Sequence, residues 1–356
     1  MERILLTGIA GFIGSHLAEA LLAEGYPVRG VDAFTDTYAP AQKRANASVV
    51  SRSRNVEIIV GDLASDDLRG LVEGVDAVVH LAGEPGVPAS WGPAFATYVE
   101  RNVIATQRLL EAATAAGVRR FVYASSSSVY GPEQRPLVES AVPRPLSPYG
   151  ASKLAGEVLV GAYAQERGLS TVSLRYFSVY GPRQRPDMAA HRFIEALLDH
   201  RPLHVHGDGR QARDFTYVGD VVAATSAALT ARVPAGSVLN IARGEPVEVR
   251  EVIAILADEL GVEPRIEPHP HRAGDTPRTE GCAAAAGEAL RWRPLVDLRS
   301  GLRRQIAWHL GRRGFDAEPV PAEVTAPVVI APRMSVPVGA SLVDAVGAGV
   351  LGRGTR

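Results

Sequence analysis

The chain opens with an apolar run, Arg3-Ile4-Leu5-Leu6, that breaks into Thr7-Gly8-Ile9-Ala10-Gly11-Phe12-Ile13-Gly14. An amphipathic helical pattern follows from Ile13 to Leu22. A buried strand, a glycine turn and a helix in that order constrain the fold more than any other feature. The glycines permit a tight turn and a close backbone approach, and the helix start then offers unpaired N–H groups to an anion such as a pyrophosphate. The spacing is G-x-x-G-x-x-G, not the G-x-G-x-x-G of the common dinucleotide fingerprint. An ordinary strand-to-helix turn could use the same glycines, so the reading depends on the rest of the chain.

That rest repeats the unit. Val28 to Val31, Val56 to Val60, Ala77 to Leu81, Phe121 to Ala124 and Thr171 to Leu174 are short apolar runs separated by helical patterns such as Asn102 to Ala116. This alternation predicts an α/β fold, a doubly wound parallel sheet of Rossmann-like kind, covered on both faces. After about residue 176 the rhythm changes: Pro and Gly become frequent and arginines cluster from Arg183 to Arg213. We expect residues 1–175 to form a dinucleotide-binding domain, with 218–243 returning to it as a helix (Val218 to Leu229) and a strand (Val238 to Ala242). Residues 176–217 and 244–312 are expected to form a smaller α/β substrate-binding part. The last stretch, 316–356, is rich in Pro, Ala, Val and Gly and reads as a flexible tail, with a weak helical pattern over Val338 to Val350.

Composition narrows the class. A formal net charge of -1 gives no bulk attraction to nucleic acid or to an anionic membrane. No apolar run is long and clean enough to span a bilayer, and no signal peptide pattern precedes the first strand. One cysteine, Cys282, excludes an internal disulfide and suits a reducing cytoplasm. Only two lysines, Lys43 and Lys153, occur in the whole chain, so each invites a question.

The cofactor side is read strand by strand. Asp32 ends the second strand, where a carboxylate can accept from the adenosine ribose 2′-hydroxyl and would repel a 2′-phosphate, favouring NAD over NADP. A strand-end cap would explain Asp32 alone. Asp62 and Leu63 follow the third strand, where a side chain could bond the adenine amino group; an ordinary Gly-Asp turn explains them equally well. Leu81, Ala82 and Gly83 close the fourth strand with room for a cofactor, and His80 reads as a packed strand-end histidine.

The chemistry is read from Tyr149-Gly150-Ala151-Ser152-Lys153, which opens a helix after Pro148. Positions i and i+4 share a face, so Tyr149 and Lys153 can serve one site. A tyrosine with a free pKa of about 10 becomes a general base when nearby positive charge favours its phenolate. Lys153 can also hold the nicotinamide ribose. Upstream, Ser125-Ser126-Ser127-Ser128 lies where the fifth strand ends, in the ligand crevice of such sheets, and its hydroxyls can orient a sugar hydroxyl.

Thr7 to Gly14, the serine run and Tyr149-x-x-x-Lys153 together resemble the extended short-chain dehydrogenase/reductase family, and within it the NAD-dependent nucleotide-sugar epimerases and dehydratases. The resemblance covers roughly residues 3 to 312. It implies Ser126 as catalytic hydroxyl, Tyr149 as base and Lys153 as its electrostatic partner. It also implies NAD as cofactor, Gly8, Gly11, Phe12, Ile13 and Gly14 as part of its site, and a homodimer. The family's 4,6-dehydratases carry an Asp-Glu pair after the catalytic hydroxyl, and its decarboxylases a glutamate where Ser128 stands. Ser127 and Ser128 depart from both and agree with 4-epimerases. Ser178 stands where the family usually has asparagine, and with Arg185 it is similar to UDP-glucuronate 4-epimerases. Ser178 and Arg185 could hold a carboxylate or the diphosphate by charge-assisted bonds. Arg213 and Arg272 match diphosphate-binding arginines, and Asp275 a nucleotide-ribose contact. After Thr279 the usual Ala-Asp pair is replaced by Gly281-Cys282 and an alanine run, read as drift in a peripheral helix. His200, His204, His206, His269 and His271 lack metal-ligand spacing in sequence, and no metal is expected. The implied function is a UDP-sugar 4-epimerase, with UDP-glucuronate as first substrate. UDP-glucose or UDP-N-acetylglucosamine epimerisation, UDP-glucuronate decarboxylation and a non-catalytic NAD-binding sensor remain as alternatives.

Overall fold

Ile4, Leu5 and Leu6 have no exposed surface, and successive side chains of this strand point to opposite faces of a sheet. Ile4 and Leu6 join an apolar cluster with Leu17 and Leu21, while Leu5 joins another with Leu109, Leu110 and Val160. Both faces are therefore dry, which is what a parallel sheet wrapped by helices requires. The computed structural model describes residues 3–132, 136–271 and 274–314; the expected tail at 316–356 and the pattern at Val338 to Val350 lie outside them.

The strands in chain order are β1 (Ile4–Thr7), β2 (Val28–Asp32), β3 (Val56–Val60), β4 (Ala77–His80), β5 (Arg120–Ser126), β6 (Thr171–Tyr176), β7 (Ser178–Tyr180), β8 (Leu203–His206), β9 (Ala212–Tyr217), β10 (Ser237–Ile241), β11 (Pro246–Glu248) and β12 (Ile266–His269). Seven form one parallel sheet in the order β10-β6-β5-β4-β1-β2-β3. The chain winds outward from β1 through β2 and β3, then restarts on the other side at β4. Ligands in such sheets bind beyond the strand ends at this reversal. A three-stranded sheet, β11-β9-β7, and a parallel pair, β12-β8, complete the strands among the described residues. None of the described helices is long and apolar enough to cross a membrane.

The structure refines several expectations. β5 runs on to Ser126, so Ser125 and Ser126 are strand residues rather than loop residues. The helix expected from Asn102 begins as a π-helical turn, Val99–Ile104, and becomes α-helical only over Ala105–Ala115. The segment after Thr279 is not peripheral drift. A Cβ on Gly281 would stand 2.5 Å from the Ala242 Cβ and 2.6 Å from the Phe177 ring. The alanine run forms the helix Ala284–Leu290, whose Ala286 and Leu290 are buried in the core. The small residues there permit close packing.

The helix Pro148–Arg167 has strong ends. Ser147 caps it by accepting from the Gly150 N–H (3.1 Å), Pro148 occupies its first turn, and Gly168 closes it at φ 68°. A buried ion pair locks the helix to the sheet. Arg175 of β6 donates from Nε and Nη2 to the Glu157 carboxylate at 3.0 and 2.6 Å. Ser125 of β5 donates to the same carboxylate at 2.6 Å. Arg175 also donates to the Tyr130 hydroxyl, which donates in turn to Asn240 Oδ1 of β10. Every partner is satisfied. Arg175→Met should therefore strand a buried carboxylate and cost about 3–5 kcal/mol in urea denaturation. A loss within error would show that the pair is not structural.

Three histidines are held neutral by burial. His80 is pushed down to about 3, and His16 and His309 to about 4. In the unfolded chain each binds its proton near 6.5. Their stabilisation is therefore complete above that value and is lost as pH falls toward 4. The denaturation midpoint should drop between about pH 7.5 and about pH 5, and His80→Leu should flatten the slope. A midpoint constant across that window would contradict the assignment.

Candidate active site

β1 ends in a turn built by close contact. Gly8 has φ 72°, where a side chain would be strained. A Cβ on Gly14 would stand 2.0 Å from the Gly8 carbonyl oxygen. Gly11 caps the following helix, Phe12–Ala23, without a side-chain bond, and no acid sits in the first turn. The first-turn N–H groups are thus open to an anion, as a dinucleotide pyrophosphate requires. Asp32 accepts from the Ala10 N–H (3.1 Å) and the Phe34 N–H (2.8 Å). It braces the turn, and its carboxylate still lines the cavity above it.

That cavity, of about 400 Å³, brings together Gly8, Gly11, Phe12, Ile13, Gly14, Asp32, Asp62, Leu63, Leu81, Ala82 and Gly83 with Ser126, Ser127, Ser128, Tyr149, Lys153, Ser178 and Arg185. Residues separated by 177 positions in the chain thus share one wall, and the space runs from the glycine turn to the tyrosine. The turn, the open helix start and the acid at the end of β2 fit NAD on the chain's own geometry. Asp62 also accepts from the Ala64 N–H (2.9 Å), so it serves its own turn. His80 is not a cavity group. It is clamped between Thr7 Oγ1 (2.8 Å) and Thr106 Oγ1 (3.0 Å).

Arg213 and Asp275 lie elsewhere. They form an ion pair in an adjoining cleft of about 230 Å³ that shares Ser178, Val179 and Met188 with the first cavity. The two spaces meet at Ser178, so an extended ligand could run from Tyr149 to Arg213. Arg272 lies outside the described residues.

The electrostatics around Tyr149 bring in groups beyond the expected lysine. Burial pushes its hydroxyl upward, and two neighbours offset part of that rise: the Ser126 hydroxyl and the positive charge of Arg185. The Lys153 Nζ stands over the Tyr123 ring at 4.5 Å, and burial lowers its pKa to about 8 against the opposing pull of Glu157. The Arg185 Nε and Nη2 are held at 3.0 Å by the Asp187 carboxylate, which aims the guanidinium at the cavity. Ser126 accepts from the Ser128 N–H (3.1 Å), so the 3₁₀ turn Ser127–Val129 is anchored on the same hydroxyl.

Sequence reasoning missed several wall residues. Lys43 is buried, donates to Thr35 Oγ1 (2.9 Å) and lines the cavity. The scarcity of lysine was the available signal. Asn102 holds three elements together. Its Nδ2 donates to the Glu84 carbonyl and to Ser152 Oγ at 2.9 Å each, and its Oδ1 accepts from the Glu84 N–H at 2.6 Å. Ser152 then donates to the Tyr149 carbonyl (2.8 Å). The π-helical turn that carries Asn102 has no signature in the sequence. Tyr98, just before that turn, packs edge-on to Tyr149 with centroids 6.2 Å apart.

Known proteins share this architecture. Residues 4–242 match the family model described as the NAD dependent epimerase/dehydratase family. A Bacillus subtilis protein named an uncharacterized UDP-glucose epimerase, YtcB, is 41% identical over 307 residues, covering 86% of this chain and 97% of its own. A UDP-glucuronate 4-epimerase of Thermodesulfobacterium geofontis is 36% identical, covering 86% and 96%. Among solved structures, the UDP-glucuronic acid 4-epimerase from Bacillus cereus in complex with UDP-glucuronic acid and NAD superposes with a TM-score of 0.84 at 40% identity, covering 86% of this chain and 98% of that one. MoeE5 in complex with UDP-glucose and NAD gives 0.79 at 42% identity, covering 88% and 99%. With the glycine turn, the parallel sheet and the Ser126–Tyr149 pair in place, this chain belongs to the NAD-dependent epimerase/dehydratase family.

Proposed function

We propose that the protein is an NAD-dependent UDP-sugar 4-epimerase whose substrate is UDP-glucuronate. The observation that carries this reading is the meeting of Ser126 and Tyr149 at one cavity, flanked by Ser127 and Ser128 instead of acids. Bound NAD supplies the redox step, taking hydride from the sugar C4 and returning it to the opposite face. Tyr149 removes the 4-hydroxyl proton and later gives it back. Ser126 hydrogen-bonds the phenol, and Arg185 favours its charged form. Lys153 holds the cofactor's ribose beside the Tyr123 ring. Gly8, Gly11, Phe12, Ile13 and Gly14 receive the pyrophosphate, while Asp32 takes the adenosine ribose. Asp62, Leu63, Leu81, Ala82 and Gly83 line the remaining length of the cofactor.

On the substrate side, Arg185 and Ser178 receive the sugar carboxylate, and Arg213 with Arg272 and Asp275 anchors the diphosphate and ribose. Ser127 and Ser128 orient hydroxyls without offering a carboxylate for eliminating water. The relatives named for UDP-glucuronate and UDP-glucose support the substrate class. In domain terms we propose 1–175 with 218–243 for the cofactor, and 176–217 with 244–312 for the nucleotide sugar. Exposed Phe95, Ile104 and Val158 on contacting helical segments support a homodimer, and the single cysteine supports a cytoplasmic location.

Incubation with UDP-glucuronate, followed by NMR, should show the C4 epimer. A pentose product with carbon dioxide would transfer the chain to the decarboxylases, and turnover of UDP-glucose alone would reassign the substrate. Tyr149→Phe should lower kcat by roughly 10²–10⁴-fold with cofactor retained, measured by NAD release on denaturation. Arg185→Met should lower kcat/KM for UDP-glucuronate about 10-fold or more relative to UDP-glucose. It also removes a charge that lowers the Tyr149 pKa, so the acidic limb of the rate profile should move to higher pH. An unmoved limb would detach Arg185 from the base.

A further inference from the structure

β8 and β12 pair in parallel with Leu203 opposite Ile266, His204 opposite Glu267, Val205 opposite Pro268 and His206 opposite His269. Leu203 and Val205 are buried, at 1% and 4% exposure. Side chains alternate along a strand, so His204 and His206 project from the other face, with Glu267 and His269 beside them. The spacing that linear inspection could not find is supplied by strand register. His204 Nδ1 lies 2.6 Å from His269 Nε2 and 3.5 Å from the Glu267 carboxylate. One donor atom from each of the three residues falls within 4.8 Å of the others. His206 stands next to them, its ring centroid 5.5 Å from that of His269. Its Nδ1 faces the Pro270 carbonyl at 2.9 Å and must donate there, which leaves Nε2 as a lone pair.

We propose that His204, Glu267 and His269 form a binding site for a divalent transition metal of the zinc, nickel or copper class. Two neutral imidazoles and one carboxylate give a singly negative set of nitrogen and oxygen donors, which suits those ions better than magnesium or calcium. A tetrahedral zinc shell places its donors about 3.3 Å apart. The His204–His269 pair must open by less than about 1 Å to reach that spacing, and both side chains are accessible enough to do so. Three protein ligands leave one coordination position for water. The site stands apart from Tyr149 and takes no part in the proposed reaction. Its physical effect is a clamp between β8 and β12, the strands that lead toward Arg213 and Asp275. His204 and His206 also line the cleft that holds that ion pair.

The test uses the full chain, stripped with chelator and titrated with Zn²⁺ by calorimetry, with bound metal counted by mass spectrometry. The expected result is one saturable equivalent per chain, weakened about 10-fold or more by His204→Ala and by His269→Ala. Glu267→Gln should weaken it in the same direction, and His200→Ala should leave it unchanged. A second group, His191, Glu195 and His309, is the competing location. Binding that survives both His204→Ala and His269→Ala but falls in His309→Phe would put the metal there and overturn the proposal, as would the absence of saturable binding. Because the readout is metal bound, failure of the epimerase reading would leave this result intact.

Discussion

The Glu157–Arg175 ion pair is the joint on which the active centre turns. Tyr149 and Lys153 sit on one helix, and the strand end that carries Ser126 belongs to a sheet with its own register. A helix can slide or tilt on a sheet at small cost when only apolar contacts hold it. A buried carboxylate answered by Arg175 and Ser125 cannot move without losing charge-assisted bonds in a dry interior. The same carboxylate lies in the field of Lys153 and partly offsets the burial that lowers that lysine's pKa. One residue therefore both seats the helix and offsets part of the burial of its lysine.

A second consequence concerns how the base is tuned. Burial raises the Tyr149 pKa, and two neighbours offset part of that rise. The Ser126 hydroxyl and Arg185 act together from two different parts of the chain. Arg185 is held by Asp187, two residues on, and lines the same cavity as Tyr149. Lys153 stands over the Tyr123 ring and lines the same cavity as the phenol. The i, i+4 spacing goes with two residues that line one cavity, and Arg185 adds a charge that this spacing does not show.

Much of the fold was legible because it rests on local rules. Four-residue apolar runs, glycines at a turn and Ser147-Pro148 before a helix each carry their own physical reason, and the parallel sheet follows from their alternation. The wall of the cavity was legible only in part. Asp32 was readable as a strand-end acid, yet its two backbone donors belong to residues 10 and 34 and are set by the turn's geometry. Asn102 was not readable at all, because a π-helical turn looks like helix in sequence and its three partners come from Glu84 and Ser152.

The sequence by itself determined the class of chemistry. A tyrosine and lysine four apart, a hydroxyl at a strand end and an anion-ready helix start each depend on short-range spacing, and short-range spacing survives as a pattern along a chain. Only the tertiary structure decided that Arg185, distant from Tyr149 in the chain, lines the same cavity and adds its charge there. It also decided that Arg213 and Asp275 occupy a separate cleft meeting the first at Ser178, and that histidines over sixty residues apart converge on one face. Those outcomes depend on strand register and on the direction of long side chains, and both are set by packing between segments that do not meet until the chain has folded.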